Sequence, residues 1–361
     1  MAEAPTGARR RLVVVLGPLA LILGSLLGLA LAGEIVLRSI VWAKSGPKTL
    51  DGQQLETFTS LQQIVRANVH GIYHEVVHRT NSRGLRGPEY TPRPSPGTFR
   101  IGITGDSVTM GSGVREEDVY SVRLEELLNA DGTGPPAEVL NMGMAGINTR
   151  VAIERLRRKA AHYKPHLFVY GFTLNDIEGK AYRKLDANDA EVSAFWYTAS
   201  ERAKSNSYLV RFLWAQLVNL QVVLNQSLIA YVDELRVNYL ENPEAWSEVV
   251  RGLDAYAALA REHGVCGHVL IHTHLGQLGA DHPYHEVYAL VEATARGLGL
   301  SVTQSLPGFQ GKEAPDLWVS YVDSHPNAEA HRILAHQLYE GLMALPAECW
   351  ELDRSATLDG A

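Results

Sequence analysis

The sequence predicts an α/β protein built on a parallel sheet and preceded by one membrane-spanning helix. From Phe99 onward, apolar runs of strand length alternate with segments of helical periodicity, which is the pattern of βαβ units. An uncharged apolar run covers residues 12–33, close to the ~20 residues that a bilayer span needs. With 361 residues, 46% of them hydrophobic, the chain is long enough for one large domain with a full core and an appendage.

The apolar run follows Arg9, Arg10 and Arg11, a pattern that keeps the N-terminus in the cytoplasm. Residues 1–11 are therefore predicted to be cytoplasmic, 12–33 to anchor the chain, and the rest to be exported. A cleaved signal peptide is the competing interpretation, because 30–32 (Ala-Leu-Ala) resembles a cleavage site, although the apolar core of a signal is usually only ~7–15 residues. Both interpretations place the following domain outside the cytoplasmic membrane.

Residues 34–97 are predicted to be a juxtamembrane segment that ends in a proline-rich linker at 91–97. A polar, glycine-punctuated stretch at 78–87 precedes this linker. Two interpretations of the stretch are open. It is a surface loop, or it is a strap across the functional face in which Arg83 or Arg86 meets an anionic substrate.

The alternating region predicts one domain over 98–346, with a helical insertion at 177–242 and a tail at 347–361. Strands are expected at 99–104, 138–142, 166–171, 267–273 and 300–303, and helices at 116–128, 149–162, 246–262, 284–298 and 327–342. Within the insertion, 208–240 has apolar side chains at helical spacing, namely Leu209, Phe212, Leu213, Leu217, Leu220 and Val223. We expect this face to pack against the protein, and a lid or a membrane-facing surface is the alternative.

Charge and cysteine content exclude several classes of function. The net charge of −7 gives no footprint for nucleic acid. Cys266 and Cys349 lack zinc-site spacing and form either one bridge or none. Histidines can bind zinc, but those near Cys266 fall on a strand end, helix ends and a loop, so no metal site is predicted for His263, His268, His272, His274, His282 and His285. His274, at the carboxyl edge of the sheet, is instead expected to contact substrate.

A set of nucleophilic, basic and acidic side chains falls at strand ends. Ser107 follows the first strand in Gly105-Asp106-Ser107, at the edge where parallel sheets place their sites. A serine hydroxyl needs a histidine to take its proton and a carboxylate to orient that histidine. The developing oxyanion needs donors that are already fixed in place. The stretches 141–149, 171–176 and 321–327 supply one group for each role, in Gly146, Asn175, Asp323 and His325.

These four blocks resemble the SGNH (GDSL-type) hydrolase family over residues 100–345. The sequence also resembles a bacterial envelope branch in which a membrane helix and an Asn-Ser-x-Gly-Leu-Arg stretch come first, matched here by 81–86. The resemblance implies a flavodoxin-like three-layer α/β/α sandwich with a mainly parallel five-stranded sheet and no metal or other cofactor. It implies Ser107 as nucleophile, His325 as general base and Asp323 as the group that orients it. The oxyanion hole would be the N–H groups of Ser107 and Gly146 and the side chain of Asn175.

Two features depart from the family pattern. The late block usually has two residues between Asp and His, whereas only Ser324 separates Asp323 from His325. Residues i and i+2 of an extended segment point to the same side, so we still expect the two side chains to meet. The third block is two residues longer than Gly-x-Asn, so Asn175 keeps its assignment while Gly171 loses a clear equivalent.

The sequence therefore predicts an exported, membrane-anchored serine esterase or O-acetyltransferase that forms an acyl-enzyme on acyl or acetyl esters of cell-envelope carbohydrate. The predicted location is the bacterial cytoplasmic (inner) membrane, with a single pass and the catalytic domain in the periplasm or outside. The expected partners are an ester or acylated carbohydrate and the membrane, with no nucleic acid. The alternative is a catalytically inactive binding module or structural subunit of a membrane complex, with a membrane protein as its partner.

Overall fold

We describe the protein from a computed structural model. The described residues are 21–39, 49–50, 53–58, 61–73, 76–132, 134–181, 207–210, 212–213, 216, 226–276, 278–279, 281–320 and 323–352. They fall into two compact units. One unit holds the described residues up to 54 together with those from 207 to 216, and the other holds the rest.

The second unit is organised around five parallel strands, which lie side by side in the order Ser301–Gln304, Cys266–Ile271, Leu167–Phe172, Phe99–Gly105 and Ala137–Asn141. Numbered along the chain within the sheet, this order is the flavodoxin-like 2-1-3-4-5 arrangement, so the predicted fold class is confirmed. The strands are β1 (Thr49–Leu50), β2 (Gln53–Gln54), β3 (Glu56–Thr57), β4 (His70–Tyr73), β5 (Val76–Arg79), β6 (Phe99–Gly105), β7 (Ala137–Asn141), β8 (Leu167–Phe172), β9 (Cys266–Ile271), β10 (Ser301–Gln304), β11 (Trp318–Ser320) and β12 (Asp323–Pro326).

Helices cover both faces of the sheet. The α-helices of the described residues are α1 (Leu21–Ser39), which belongs to the first unit, and α2 (Leu61–Ile64), α3 (Ser107–Met110), α4 (Tyr120–Asp131), α5 (Thr149–Tyr163), α6 (Gln226–Leu240), α7 (Pro243–Glu262), α8 (His285–Gly297), α9 (Leu306–Phe309) and α10 (Ala328–Met343) in the second. One core cluster joins the sheet to α4 and α10, and the other joins it to α5, α6, α7 and α8. Because both faces are covered, every residue of β6 and of β8 is buried, which explains their almost continuous apolar runs.

Asparagine side chains mark the beginnings of three sheet-covering helices. The side chain of Asn148 accepts a hydrogen bond from the N–H of Val151 at 3.2 Å at the start of α5. Asn242 and Asn327 cap α7 and α10 in the same way, with α7 beginning at Pro243. Capping of free N–H groups, with proline in the first turn, fixes where each helix begins.

The smaller strands form separate ribbons. β1 pairs with β2 in the first unit, and β3 with β4 and β4 with β5 make a three-stranded sheet in the second. β11 and β12 form an antiparallel pair just before α10. That last pair places residues 323–326 in extended backbone, which matters for the site described below.

In the first unit, α1 has a mean hydropathy of 1.9 and none of its apolar stretch is buried. Its length and composition suit either a membrane span or a signal sequence. The helix continues past the predicted end at residue 33, while residues 12–20 of the predicted span lie outside the described part. Near the end of α1, the Glu34 carboxylate accepts hydrogen bonds from the N–H groups of Tyr208 and Leu209, at 3.0 and 2.8 Å.

The insertion only partly matches its prediction. Phe212 and Leu213 are about half exposed, so the expectation that they pack against the protein is wrong for these two side chains. Leu217, Leu220 and Val223 lie outside the described residues. The helix α6 buries Leu235 and Tyr239 against the core instead.

The two cysteines form a disulfide that fastens the C-terminal segment to the sheet. Cys266, the first residue of β9, is bonded to Cys349, 83 positions away in sequence, with their Cα atoms 5.5 Å apart. Cys349 is buried among the side chains of α4 and α10. Of the two possibilities that the sequence left open, the structure has the bridge.

We expect reduction of this disulfide to lower the free energy of unfolding by about 4 kcal/mol, because the bridge closes a long loop in the unfolded chain. Urea unfolding with and without dithiothreitol measures the difference. The Cys266→Ala/Cys349→Ala protein is the control, since dithiothreitol should leave its unfolding curve unchanged. An equal response of both proteins to the reductant would contradict a stabilising bridge.

The histidines near Cys266 do not gather into a metal-binding arrangement among the described residues. His268 hydrogen-bonds the Ser301 hydroxyl at 2.8 Å, and His282 contacts the backbone carbonyl of His274 at 3.1 Å. Cys266 is committed to the disulfide. His268, His282 and Cys266 therefore have bonding partners within the protein itself.

Candidate active site

Ser107 lies at the carboxyl end of the strand β6, which pairs with β7 and β8 inside the sheet, as the first residue of α3. Gly105 permits this turn because a Cβ there would lie 2.1 Å from the Thr109 hydroxyl oxygen and 2.6 Å from the Gly171 carbonyl oxygen. The N–H groups of Gly111 and Ser112 both donate to the Ser107 carbonyl at 3.0 Å. The backbone around the serine is thus held on both sides.

Three side chains from distant parts of the sequence form one hydrogen-bonded chain. The Ser107 hydroxyl lies 2.9 Å from His325 Nε2, and His325 Nδ1 lies 2.5 Å from Asp323 Oδ1. The one-residue spacing between Asp323 and His325 succeeds because both lie on β12, where alternate side chains point to the same side. The Asp323 carboxylate also accepts the backbone N–H of His325 at 3.1 Å, which fixes the pair further.

The surroundings of His325 favour its protonated form. Burial alone lowers the pKa of His325, but the hydrogen bond and negative charge of Asp323, together with the charge of Asp106, outweigh it and raise the pKa above 6.5. An imidazole with a raised pKa is a stronger proton acceptor. His325 therefore has the geometry and the basicity of a general base for Ser107.

Asp106 is a buried carboxylate beside the serine to which the sequence pattern gave no role. One oxygen caps α3 by accepting the N–H of Val108 at 2.9 Å, and the other lies 3.3 Å from the Ser107 hydroxyl. Burial raises the pKa of Asp106, while its hydrogen bonds and the nearby His325 lower it in part. In the sequence, only its position directly before Ser107 pointed to a role in the site, and a carboxylate at that position is equally typical of a helix cap.

Asn175 lies in a short 3₁₀ helix, Leu174–Ile177, directly after β8. It lines the cavity beside Ser107, together with Asp106. Next to it, Asp176 holds the turn by accepting the N–H of Thr173 at 2.8 Å and the Tyr170 hydroxyl at 2.7 Å. Burial, followed by the charge of Asp106, raises the pKa of Asp176 well above its ordinary value.

Gly146 lies in the loop between β7 and α5. It has a φ of 73°, which favours glycine, and it is exposed. The same loop is tied to the strand β6, because the Met144 N–H donates to the Gly105 carbonyl at 3.0 Å. Gly146 does not line the cavity beside Ser107, so its assignment to an oxyanion hole stays a prediction.

A cavity of about 240 Å³ opens beside the serine. The predicted site residues Ser107, Asn175, His274 and His325 all line it, together with Asp106, Val108, Thr173, Leu174, His272, Thr273, Leu275, Ser324 and Pro326. Burial lowers the pKa of His274 to about 4, so its ring is neutral at physiological pH. The structure thus places His274 next to the nucleophile as an uncharged wall of the cavity.

The structure does not bring Arg86 or Arg83 to this cavity. The Arg86 guanidinium is buried and donates to the backbone carbonyls of Met110, Gly111 and Val114, in the turn that follows α3. The expected contact with an anionic substrate does not fit this position, because the guanidinium already donates hydrogen bonds to three carbonyl oxygens. Arg83 is exposed and lines a different cavity, along α5.

Replacing Arg86 by Met should lower the free energy of unfolding by about 3 kcal/mol or more, since each buried carbonyl left without a donor costs about 1–3 kcal/mol. Urea unfolding measures this change. Arg332→Met on the exposed surface of α10 is the matched control and should stay within about 0.5 kcal/mol of the parent protein. Equal stability of Arg86→Met and the parent protein would contradict the structural role.

The fold and site together define a flavodoxin-like α/β protein with a serine–histidine–aspartate chain at the carboxyl edge of its sheet. No known family and no curated protein matches the chain by sequence. Solved structures similar to it include TesA, at 17% identity over 68% of this chain and 98% of that chain, with a TM-score of 0.41.

Two further similar structures belong to named hydrolases. A mutant of Axe2, an acetyl-xylooligosaccharide esterase from Geobacillus, is 15% identical over 72% of this chain and 98% of that chain, with a TM-score of 0.42. An SGNH hydrolase from Slackia heliotrinireducens is 14% identical over 68% of this chain and 99% of that chain, with a TM-score of 0.34. At these identities and TM-scores the similarity does not by itself assign an activity to this protein.

Proposed function

We propose that this protein is a serine hydrolase that cleaves esters through an acyl-enzyme intermediate. The observation that carries the proposal is the pair of contacts made by His325, 2.9 Å to the Ser107 hydroxyl and 2.5 Å to the Asp323 carboxylate. A serine alone is a weak nucleophile, and this geometry supplies both the base and the group that orients it. A binding module has no need for such an alignment.

The reaction follows from these contacts. As Ser107 Oγ bonds to the ester carbon, its proton passes to His325 Nε2 and the carbonyl π electrons move onto the carbonyl oxygen. Asp323, bonded to Nδ1–H, stabilises the imidazolium that forms. When the tetrahedral intermediate collapses, the bond to the leaving oxygen breaks and that oxygen takes the proton from Nε2. Water then attacks the acyl-enzyme by the same steps and releases the acid.

The oxyanion is assigned to the N–H groups of Ser107 and Gly146 and the side-chain amide of Asn175. Donors that are fixed before the reaction stabilise the developing charge at little cost in reorganisation. The position of Asn175 supports this role for the amide, because Asn175 follows the strand β8 and lines the same cavity as Ser107.

We assign short acyl esters of cell-envelope carbohydrate, and acetyl esters in particular, as the natural substrates. The cavity beside Ser107 is about 240 Å³, smaller than the ~300–1,000 Å³ of most ligand pockets, which favours a short acyl group with His274 against it. The disulfide and the apolar helix α1 support an exported, membrane-anchored location, since disulfides persist in oxidising compartments. With a sugar hydroxyl in place of water as acceptor, the same acyl-enzyme would carry out O-acetyl transfer.

To test the proposal, the full-length protein in non-ionic detergent is incubated with a fluorophosphonate probe, and its hydrolysis of p-nitrophenyl acetate and octanoate is measured. We expect the probe on the peptide that contains Ser107, no labelling of Ser107→Ala, and faster turnover of acetate than of octanoate. Saccharide acceptors added to the same assay separate transfer from hydrolysis. A folded parent protein that neither reacts with the probe nor hydrolyses either ester would overturn the proposal and favour the binding module.

A further inference from the structure

The helix α5 carries a concentration of positive charge in a chain that is acidic overall. Residues 149–163 contain Arg150, Arg155, Arg157, Arg158 and Lys159 but only one acidic residue, whereas the whole chain has a net charge of −7. Glu154 pairs with Arg158 at 2.7 Å, and Arg157 pairs with Glu262 at 2.9 Å. Arg155 and Lys159 face a neighbouring segment that adds another cation, Arg83.

A cavity of about 410 Å³ lies between this helix and that segment. Its cationic wall is Arg83, Arg155, Arg158 and Lys159, with His162 beside them, and its remaining lining is Met144, Val151, Glu154 and Tyr163. The volume lies within the ~300–1,000 Å³ range of small-ligand sites. This basic cavity, as we call it, is separate from the cavity at Ser107, with which it shares no lining residue.

Three of its cations have no carboxylate partner among the described residues: Arg83, Arg155 and Lys159. Arg155 donates to the carbonyls of Met142 and Gly84 at 2.7 and 2.8 Å, and Lys159 donates to the carbonyl of Arg83. Carbonyl oxygens satisfy N–H donors but cancel no charge. The positive charges therefore stand close together without neutralisation.

Burial and the repulsion between these cations lower the pKa of the group that lies between them. Partial burial, followed by the charges of Arg155 and Arg83, lowers the pKa of Lys159 to about 8. Burial and the same neighbours, Arg83 and Lys159, also lower the pKa of His162. An anion in the basic cavity would relieve this repulsion and make charge-assisted hydrogen bonds, which are about twice as strong as neutral ones.

The shape and position of the basic cavity favour a discrete saccharide over a bilayer surface. It is concave, and Met144, Val151 and Tyr163 give it an apolar side against which a sugar ring can pack. Met144 also belongs to the loop whose N–H bonds the Gly105 carbonyl, two residues before the nucleophile. The loop at Met144 therefore adjoins both the basic cavity and the end of the strand β6 that leads to Ser107.

We infer that the basic cavity is a subsite for a carboxylate or phosphate group on the carbohydrate. Arg83 and Lys159 bind the anionic oxygens, while Arg155 holds the loop backbone at Met142 and contributes its charge. The identification of the ligand as carbohydrate rests on the proposed function. The presence of an anion site does not.

The experiment measures binding of trigalacturonate, maltotriose and inorganic phosphate to the full-length Ser107→Ala protein by isothermal titration calorimetry, so that no turnover is needed. Trigalacturonate should bind, maltotriose at least 10-fold more weakly, and added salt should weaken the binding of the anion. Arg83→Gln/Lys159→Gln in the same background should raise the Kd for trigalacturonate at least 10-fold. The matched control is Lys312→Gln/Arg332→Gln, which removes two exposed cations from elsewhere on the protein and should leave the Kd unchanged.

Thermal unfolding of each variant shows that it is folded. Equal affinity for maltotriose and trigalacturonate, or equal loss of affinity in both double variants, would overturn the anion subsite. Binding of phosphatidylglycerol vesicles, lost in Arg83→Gln/Lys159→Gln, without binding of either saccharide would overturn the carbohydrate assignment in favour of a lipid headgroup. Because the nucleophile is absent throughout, these results stand whether or not Ser107 reacts with esters.

Discussion

Replacing His325 by Ala is expected to lower kcat for p-nitrophenyl acetate by on the order of 10⁵–10⁶-fold. His325 Nε2 lies 2.9 Å from the hydroxyl and is placed to take the proton of Ser107, while the neighbouring Asp323 stabilises the charge that results. Without the imidazole the serine stays a neutral alcohol. The remaining rate would come from binding and from donors to the oxyanion. Burst and steady-state kinetics with the same ester measure the loss.

The matched control is His336→Ala, which removes an exposed imidazole from the helix α10 that follows the site. Its kcat should equal that of the parent protein. Fluorophosphonate labelling of His325→Ala should slow in parallel with its turnover, because both reactions need the same activated hydroxyl. A His325→Ala protein that keeps more than a tenth of the parent activity would contradict the assignment of the base.

The five strands of the sheet followed from local pattern, whereas their flavodoxin-like arrangement was implied by the family resemblance. The strands of the sheet are four to seven residues long and mainly apolar, with the more polar β10 as the exception. Several helices begin at an Asn or Pro, such as Asn148 or Pro243, whereas α4 begins after Val119 without a side-chain cap. A strand that is buried on both faces, such as β8, has no polar face, so its sequence is almost entirely apolar. The strand bounds differed from those predicted by only one or two residues.

The candidate site was predictable where chemistry demands particular residue types at strand ends. Ser107, Asp323 and His325 meet because the strand β6 and the pair β11–β12 bring them to one edge. The shortened Asp-x-His spacing was the doubtful point, and the extended backbone of β12 resolves it. A segment of the same length in a helix would point the two side chains in different directions.

The arginines were not predictable, since a cation in a polar stretch does not reveal what it faces. Arg83 and Arg86 are three residues apart, yet one lines the basic cavity and the other is buried against the turn after α3. Contacts between distant segments decide this difference, and no periodicity encodes them. The disulfide is similar, because pairing of Cys266 with Cys349 depends on where the C-terminal segment packs.

Asp323→Asn should lower kcat by about 10⁴-fold, less than the loss of His325 itself. The amide is close in size to the carboxylate, but it cannot stabilise the imidazolium and it can bind the wrong tautomer of His325. The pH profile gives a second readout. A general base acts only when neutral, so kcat/KM of the parent protein should fall as the pH drops through the pKa of His325, which Asp323 and Asp106 raise above 6.5.

Asp323→Asn weakens the hydrogen bond of residue 323 to the imidazolium and removes its charge, the two largest causes that raise this pKa, while burial, which lowers it, remains. The acid limb of kcat/KM in Asp323→Asn should therefore move to lower pH, even though its height is greatly reduced. Asp316→Asn, an exposed carboxylate just before β11, should alter neither the height nor the limb. A lower rate with an unmoved limb would mean that Asp323 holds the backbone of β12 without setting the charge of His325, and the catalytic pair would then have to be reassigned.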